Sequence, residues 1–383
     1  MPFAVLFPRY DHPAVEERYA SWQSETLLRR DAVQLEHYDD DERAAHAVKG
    51  ITAEHVLVVT DPLMLPTPGL GEHLAYVRGA AGTFAAVPVS NEAVNPEQRV
   101  LMPPYMTVRE LEIETARLRA REQGFTRVVW DHSNPGAFLC ETQRLADHTE
   151  PLAHAIHGRE VAISRGDFIH RWASLRGQVR LDLLERISPE AKVILEFGCG
   201  EGALGEALKQ RQKCRVVGIE LDRDAAARAR KRMDDVYCAD ARETVAILQD
   251  KFDWIVGGDI VEHLDEPWSF LADLRRISTP DGHLLLSLPN LANGSVLGDL
   301  LHGRFDYVYM GITCVGHLRF FTRRSIDDML TIAGWTLESI EPQMLAITEE
   351  QSALVTRLES AGLPFSKDDL MASGYYVIAR NRS

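Results

Sequence analysis

No stretch of this chain approaches the roughly 20 consecutive apolar residues that span a bilayer. Its first residues also lack the basic-then-apolar order of a secretion signal. A membrane span is therefore not expected, and a cytoplasmic location is the simplest expectation. Cysteine is sparse: Cys140, Cys199, Cys214, Cys238 and Cys314 are odd in number, scattered, and never spaced as metal-binding pairs. They read as reduced thiols, and no resident metal is expected. Positive charge is in deficit, with 42 Lys and Arg against 57 Asp and Glu for a formal net charge of −15. That balance argues against nucleic acid or anionic lipid as a general partner, because both are bound through clustered basic side chains. The one basic run, 223–232, reads as the solvated face of a helix.

What is present is the composition of an ordinary globular protein, with 45% hydrophobic and 26% charged residues. A chain of 383 residues exceeds one average domain, so two are expected. In residues 1–150, strand patterns at 3–8, 55–60, 84–89 and 126–131 alternate with helical patterns at 14–30, 69–77 and 107–122. This alternation predicts a separate N-terminal α/β domain. Residues 151–167 show no period and read as a linker, and a helical pattern covers 168–187. The second domain is expected over 168–383.

That second half is organised around Val193-Ile-Leu-Glu-Phe-Gly-Cys-Gly-Glu-Gly202, followed by an Ala- and Leu-rich run. An apolar run, alternate glycines and a helix-forming segment read as strand, tight turn and helix. Gly198, Gly200 and Gly202 permit positive φ and the approach of a ligand to bare backbone. Dinucleotide enzymes use a related turn with G-x-G-x-x-G spacing to seat a pyrophosphate. Here the spacing is G-x-G-x-G and Glu196 precedes it, an acid that repels phosphate and suits a cationic amine. Two later β-branched runs also end in acids, at Glu220 and Asp240. A carboxylate at Glu220 suits the paired hydroxyls of a ribose, although a nicotinamide cofactor would want the same acid. Taken singly, Asp240 equally fits a helix cap. The stretch Lys251-Phe-Asp-Trp-Ile-Val-Gly-Gly-Asp-Ile-Val-Glu-His-Leu264 opens from a buried strand into a loop with Asp259, Glu262 and His263.

Taken together, Glu196-x-Gly198-x-Gly200-x-Gly202, Glu220, Asp240 and the Glu262-His263-Leu264 segment resemble the class I S-adenosylmethionine-dependent methyltransferases over roughly residues 165–383. The resemblance implies a seven-stranded Rossmann-like sheet whose last strand is antiparallel, closed by strands near 335–340 and 375–379. It implies S-adenosylmethionine as cofactor, with Glu220 on the ribose, Asp240 on the adenine amino group, and Leu221 and Ala241 flanking the ring. It also assigns Arg180 to the methionine carboxylate, for which a surface arginine is the alternative, and brings Asp259 towards the sulfonium. Residues 303–309 and Gly316-His-Leu-Arg-Phe-Phe-Thr322 resemble an insertion found in a subgroup associated with glycan and polysaccharide genes. Thr313-Cys314-Val315-Gly316 departs from that subgroup's pattern.

The activity implied is methyl transfer to oxygen on a sugar or other small molecule. Transfer from a sulfonium is an in-line displacement governed by alignment, and a hydroxyl acceptor also requires a base, for which His263 and His317 are the candidates. The alternatives are that His263 holds its loop through a backbone carbonyl and that His317 packs beside Phe320 and Phe321. In the N-terminal half, the segments 55–62 and 135–140 resemble GT-A glycosyltransferases, but Asp61-Pro62-Leu63 lacks the second acid of an Asp-x-Asp metal site. A bifunctional glycosyltransferase-methyltransferase and a non-catalytic cofactor-binding scaffold are therefore the rival expectations.

Overall fold

The computed structural model describes residues 2–382 apart from Asp11, His12, Asp40, Val94, Ser133, 146–147, 149–150 and 173–176, and it describes residues 41–45 by their backbone only. The chain divides into two compact units. The first comprises Met1–Ala173 together with Asp306–Met310, and the second Ser174–Phe305 together with Gly311–Ser383.

Unit 1 is built on a mixed sheet of β1 (Phe3–Pro8), β2 (Gln34–Tyr38), β3 (His55–Val59), β4 (Met64–Pro66), β5 (Ala85–Ser90), β6 (Phe125–Val129), β7 (Ala137–Glu141) and β8 (Glu160–Arg171). Its order is β2-β1-β3-β7-β5-β8-β4, with β6 paired to β8. Strand alternation sorts the core onto two faces. Ala4, Leu6, Val56 and Val58 lie in one buried cluster, whereas Phe3, Val5, Leu57 and Val59 lie in another. The helices Val15–Asp31, Leu70–Ala81 and Val108–Arg121 occur within a residue or a turn of their expected bounds.

Two expectations in this region are corrected. The supposed linker over 151–167 becomes strand in its second half: β8 starts at Glu160 and pairs with β5 in parallel, and the unit boundary falls at 173/174. The strand is hidden in the sequence because Ser164-Arg165-Gly166-Asp167 interrupts its apolar pattern. Register jumps there from Pro88 opposite Ser164 to Val89 opposite Phe168, as expected where extra residues bulge from a ladder. Buried Asp167 accepts a 2.7 Å hydrogen bond from Ser164 Oγ on one carboxyl oxygen and pairs with Arg119 at 2.9 Å through the other. The helix expected over 168–187 is likewise replaced, among the described residues, by the end of β8 and a short helix, Leu181–Leu184. Phe168 and Ile169, adjacent in sequence, enter opposite clusters, which is strand behaviour.

Unit 2 carries β9 (Val193–Phe197), β10 (Arg215–Glu220), β11 (Asp235–Cys238), β12 (Phe252–Gly258), β13 (Ser278–Pro289), β14 (Thr336–Gln343) and β15 (Gly374–Arg380). They form a seven-stranded sheet in the order β11-β10-β9-β12-β13-β15-β14. The expected antiparallel last strand is present, since β15 runs against both β13 and β14. Leu195, Phe197, Ile255, Leu284 and Leu286 build one core, and Ile194, Trp254, Val256 and Leu285 the other. β9 pairs in parallel with β10 on one side and β12 on the other. The strand order thus reverses at β9, and in open α/β sheets ligands bind beyond the carboxyl ends of strands at such a reversal.

Candidate cofactor and acceptor site

The glycine turn lies at this reversal, immediately after β9. Gly198, Gly200 and Gly202 have φ of 71°, 53° and 78°, left-handed values that disfavour a side chain. Their surroundings differ. A Cβ on Gly198 would stand 2.3 Å from Ile260 Cδ1, and one on Gly202 3.0 Å from Ala229 Cα, but one on Gly200 would meet nothing within 4 Å among the described residues. Gly198 and Gly202 are therefore held to glycine by packing as well as by φ, while Gly200 presents bare backbone to open space.

Two carboxylates flank the turn. Glu220, at the end of β10, accepts 2.8 Å hydrogen bonds from Gly200 N–H on Oε2 and from Asp222 N–H on Oε1. Each oxygen retains a second lone pair for a ligand hydroxyl. Glu196 is buried within β9, opposite Gly218 and Val256. Its Oε2 has no hydrogen-bond partner among the described residues. Burial, and secondarily the charge of Glu220, pushes its carboxyl up to about 8. An unpartnered buried carboxyl is costly in isolation, and a ligand cation would relieve it.

Farther along the strand tips, Leu221 is 70% exposed and Ala241 half-buried. Asp240 caps the helix Ala241–Ile247 through Arg242 N–H at 2.8 Å. Its carboxylate is also held by the Arg242 guanidinium at 2.8 Å, which depresses its pKa. The capping alternative is thus realised.

Arg180 is not a lone surface arginine. Its Nε and Nη2 donate to Asp182 at 3.0 and 2.8 Å, Nη1 donates to Asp259 at 2.6 Å, and Nη2 reaches Ser287 Oγ at 3.2 Å. Burial opposes the Arg180 charge, but the hydrogen bonds and charges of Asp182 and Asp259 prevail and hold its pKa above the ordinary value. Ser287 Oγ and Tyr376 OH complete the network, donating to Asp259 and Asp182 at 2.9 Å each. Asp259 takes φ 53°, a conformation uncommon for a residue with a side chain. Asp182, Ser287 and Tyr376 carry no sequence pattern that marks them for this role.

Beyond Asp259 the turn Val261–His263 brings Glu262 and His263 to His317. The rings of His263 and His317 lie edge to face at 4.8 Å. His263 Nδ1 is 3.0 Å from the Gly316 carbonyl and His317 Nδ1 3.0 Å from the Ile312 carbonyl. His263 thus makes the carbonyl contact given as its alternative, and His317 also meets Phe320, with centroids 6.3 Å apart. Burial, followed by the neighbouring His263, pushes His317 down to about 4. Glu262 is fully buried, neither carboxyl oxygen has a hydrogen-bond partner among the described residues, and burial holds its carboxyl well above the usual range. Nothing in the sequence reveals that burial, because an acid in a loop ordinarily reads as solvated.

Residues 169–340 match the family model described as a methyltransferase domain. The chain is 28% identical over 140 residues to a ubiquinone biosynthesis O-methyltransferase of Hahella chejuensis, covering 32% of this chain and 58% of that one. It is 30% identical over 112 residues to the protein of the same name from Pseudomonas paraeruginosa, covering 28% and 48%. The chain thus spans about half the length of the curated relatives it matches. Among solved structures it is similar to a SAM-dependent methyltransferase from Archaeoglobus fulgidus, with a TM-score of 0.40, 17% identity, and coverage of 52% of this chain and 91% of that one. Residues 169–340 are thus similar to a methyltransferase domain, and the resemblance read from the sequence implies S-adenosylmethionine as its methyl donor. The open backbone at Gly200, the unsatisfied Glu196 oxygen and the spare lone pairs of Glu220 fit that cationic nucleoside.

Proposed function

We propose that this chain is an S-adenosylmethionine-dependent O-methyltransferase acting on a hydroxyl of a small molecule. The observation that carries the reading is Glu196, a buried carboxyl with an unpartnered oxygen beside bare glycine backbone at the strand-order reversal. In this reading Glu196 faces the cofactor's positive charge, Glu220 takes the ribose hydroxyls, and Asp240, Leu221 and Ala241 border the adenine. Arg180 keeps Asp259 in place, with an N–H of Nη1 left for the methionine carboxylate. When bound, the cofactor supplies a methyl group on a cationic sulfur. The acceptor oxygen forms the new bond to carbon as the carbon–sulfur bond breaks and its electron pair returns to sulfur. The hydroxyl proton leaves through the polar cluster of Glu262 and His263, which follow β12, with His317, which lies after β13.

A sugar or glycan hydroxyl is the acceptor class favoured by the resemblance of 303–309 and 316–322, and the relatives' names also speak for oxygen as the nucleophile. Sugar transfer by unit 1 is not favoured. Asp61 lacks a companion acid, its carboxyl is pushed up by burial, and its Oδ2 lies 3.8 Å from the Arg171 Nε, so a guanidinium already occupies the side where a cation would sit.

Calorimetry with S-adenosylmethionine and S-adenosylhomocysteine, followed by radiolabelled methyl transfer over a panel of sugars and phenols, tests the proposal. Saturable binding and label on an acceptor oxygen are expected. Retention of a nicotinamide cofactor with no uptake of either nucleoside would overturn it, and tight binding without turnover on any acceptor would favour a scaffold.

A further inference from the structure

The cluster of Glu262, His263 and His317 has a composition that proton transfer alone does not explain. A carbonyl oxygen only accepts hydrogen bonds, so the Nδ1 atoms of His263 and His317, each 3.0 Å from a carbonyl, carry the protons of their neutral rings. The lone pair of each ring then belongs to Nε2. His317 Nε2 lies 3.8 Å from Glu262 Oε1, and one ligand-capable atom from each of the three side chains lies within 4.8 Å of the others. Glu262 is 0% exposed, and neither of its oxygens receives a hydrogen bond from the described residues. A buried carboxylate is ordinarily paired, hydrogen-bonded or coordinated to a metal. Two imidazoles oriented by backbone carbonyls, with one carboxylate, form the donor set of many first-row transition-metal centres.

We propose that Glu262, His263 and His317 bind one divalent transition-metal cation, zinc or manganese in kind, through Glu262 and the two Nε2 atoms. Ligand atoms around a four-coordinate zinc at about 2.1 Å stand roughly 3.4 Å apart. The His317–Glu262 separation of 3.8 Å is already close to this, and ligand-capable atoms that lie within 4.8 Å of one another need draw in by at most about 1.4 Å. Three protein ligands leave at least one coordination position open, the arrangement of a catalytic rather than a structural site. This inference revises the expectation, drawn from cysteine spacing, of a protein without a metal. It also changes the part assigned to the histidines, since a lone pair given to a cation cannot accept the acceptor's proton. On the methyl-transfer reading, the open position would take the acceptor hydroxyl and lower its pKa, and the proton would leave to water. Metal binding itself does not depend on that reading.

The test uses the full chain, stripped with a chelator, dialysed, and titrated with Co2+ and Zn2+ by calorimetry and visible absorption. Each variant is checked in parallel for S-adenosylhomocysteine affinity. Uptake of one equivalent is expected, with ligand-field bands in the cobalt form. His317→Gln and Glu262→Gln should each weaken uptake by about 100-fold or more while nucleoside affinity stays within about twofold. If Glu262→Gln fails to fold, His317→Gln decides. The proposal is overturned if the wild-type chain binds the nucleoside but takes up neither metal, or if His317→Gln retains wild-type uptake. Metal uptake without nucleoside binding would sink the methyl-transfer reading and leave the metal site standing.

Discussion

Replacing Glu196 by Gln should remove a specific pH dependence from cofactor binding. With its carboxyl at about 8, Glu196 is mostly protonated at neutral pH in the ligand-free protein. If the ionised form is what receives the cofactor's cation, binding must release that proton, and the dissociation constant scales as one plus the protonated-to-ionised ratio. From this pKa, wild-type affinity is weakened roughly 100-fold at pH 6 and about 11-fold at pH 7, and is nearly at its limit at pH 9. The cofactor's own α-amino group titrates at roughly 8 and bends the wild-type curve above that pH. The informative quantity is therefore the ratio of wild-type to Glu196→Gln affinity, in which the ligand's titration cancels. That ratio should rise roughly 90-fold from pH 6 to pH 9. Calorimetry at pH 7 in buffers of different ionisation enthalpy should show about 0.9 proton released per S-adenosylhomocysteine bound to the wild type and close to none for the variant. A flat ratio, or an equal proton release from both proteins, would refute the assignment of Glu196 to the cofactor's charge.

The same carboxyl bears on stability. Its folded-state pKa is raised from 4.5 to about 8, so the stability it contributes is fully present below about pH 4.5 and is lost as pH rises through 8, roughly 5 kcal/mol in all. Urea unfolding of the ligand-free protein should show this decline, and Glu196→Gln should flatten it; identical profiles for the two proteins would contradict the burial argument. The glycine turn separates packing from recognition. Gly198→Ala, which drives a methyl into Ile260 at positive φ, should cost roughly 2–4 kcal/mol in the same assay. Gly200→Ala meets no neighbour and should cost only about 1 kcal/mol, yet weaken S-adenosylhomocysteine because its methyl enters the space proposed for the ligand. The reverse ranking in stability would show that the turn has been misread.

Unit 2 was more legible than unit 1 because its site is written in local signals. Alternate glycines behind Glu196, and acids ending successive β-branched runs, follow from what a strand-turn-helix unit must do wherever it occurs. β8 was missed because a polar bulge that folding satisfies internally, through Ser164, Asp167 and Arg119, looks from the sequence like the end of a strand. The pairing of Arg180 with Asp259 joins residues 79 positions apart, and the meeting of Glu262 and His263 with His317 spans more than 50 residues. No periodicity reports such contacts. Their residue types were visible, but not that they converge or that Glu262 is sealed from water.

The pentapeptide Asp306–Met310, which overlaps the 303–309 stretch singled out in the sequence, belongs to unit 1. There Val308 is buried in the same cluster as Leu6 and Val58, and Tyr307 stacks edge to face on Tyr19 with centroids 6.5 Å apart. During synthesis, which exposes the amino-terminal end first, the earlier unit must wait for more than a hundred residues of the later one before its own interior can close. A cut at 173/174 would therefore not yield two finished halves: one would lack an internal plug, and the other would carry an orphaned greasy loop.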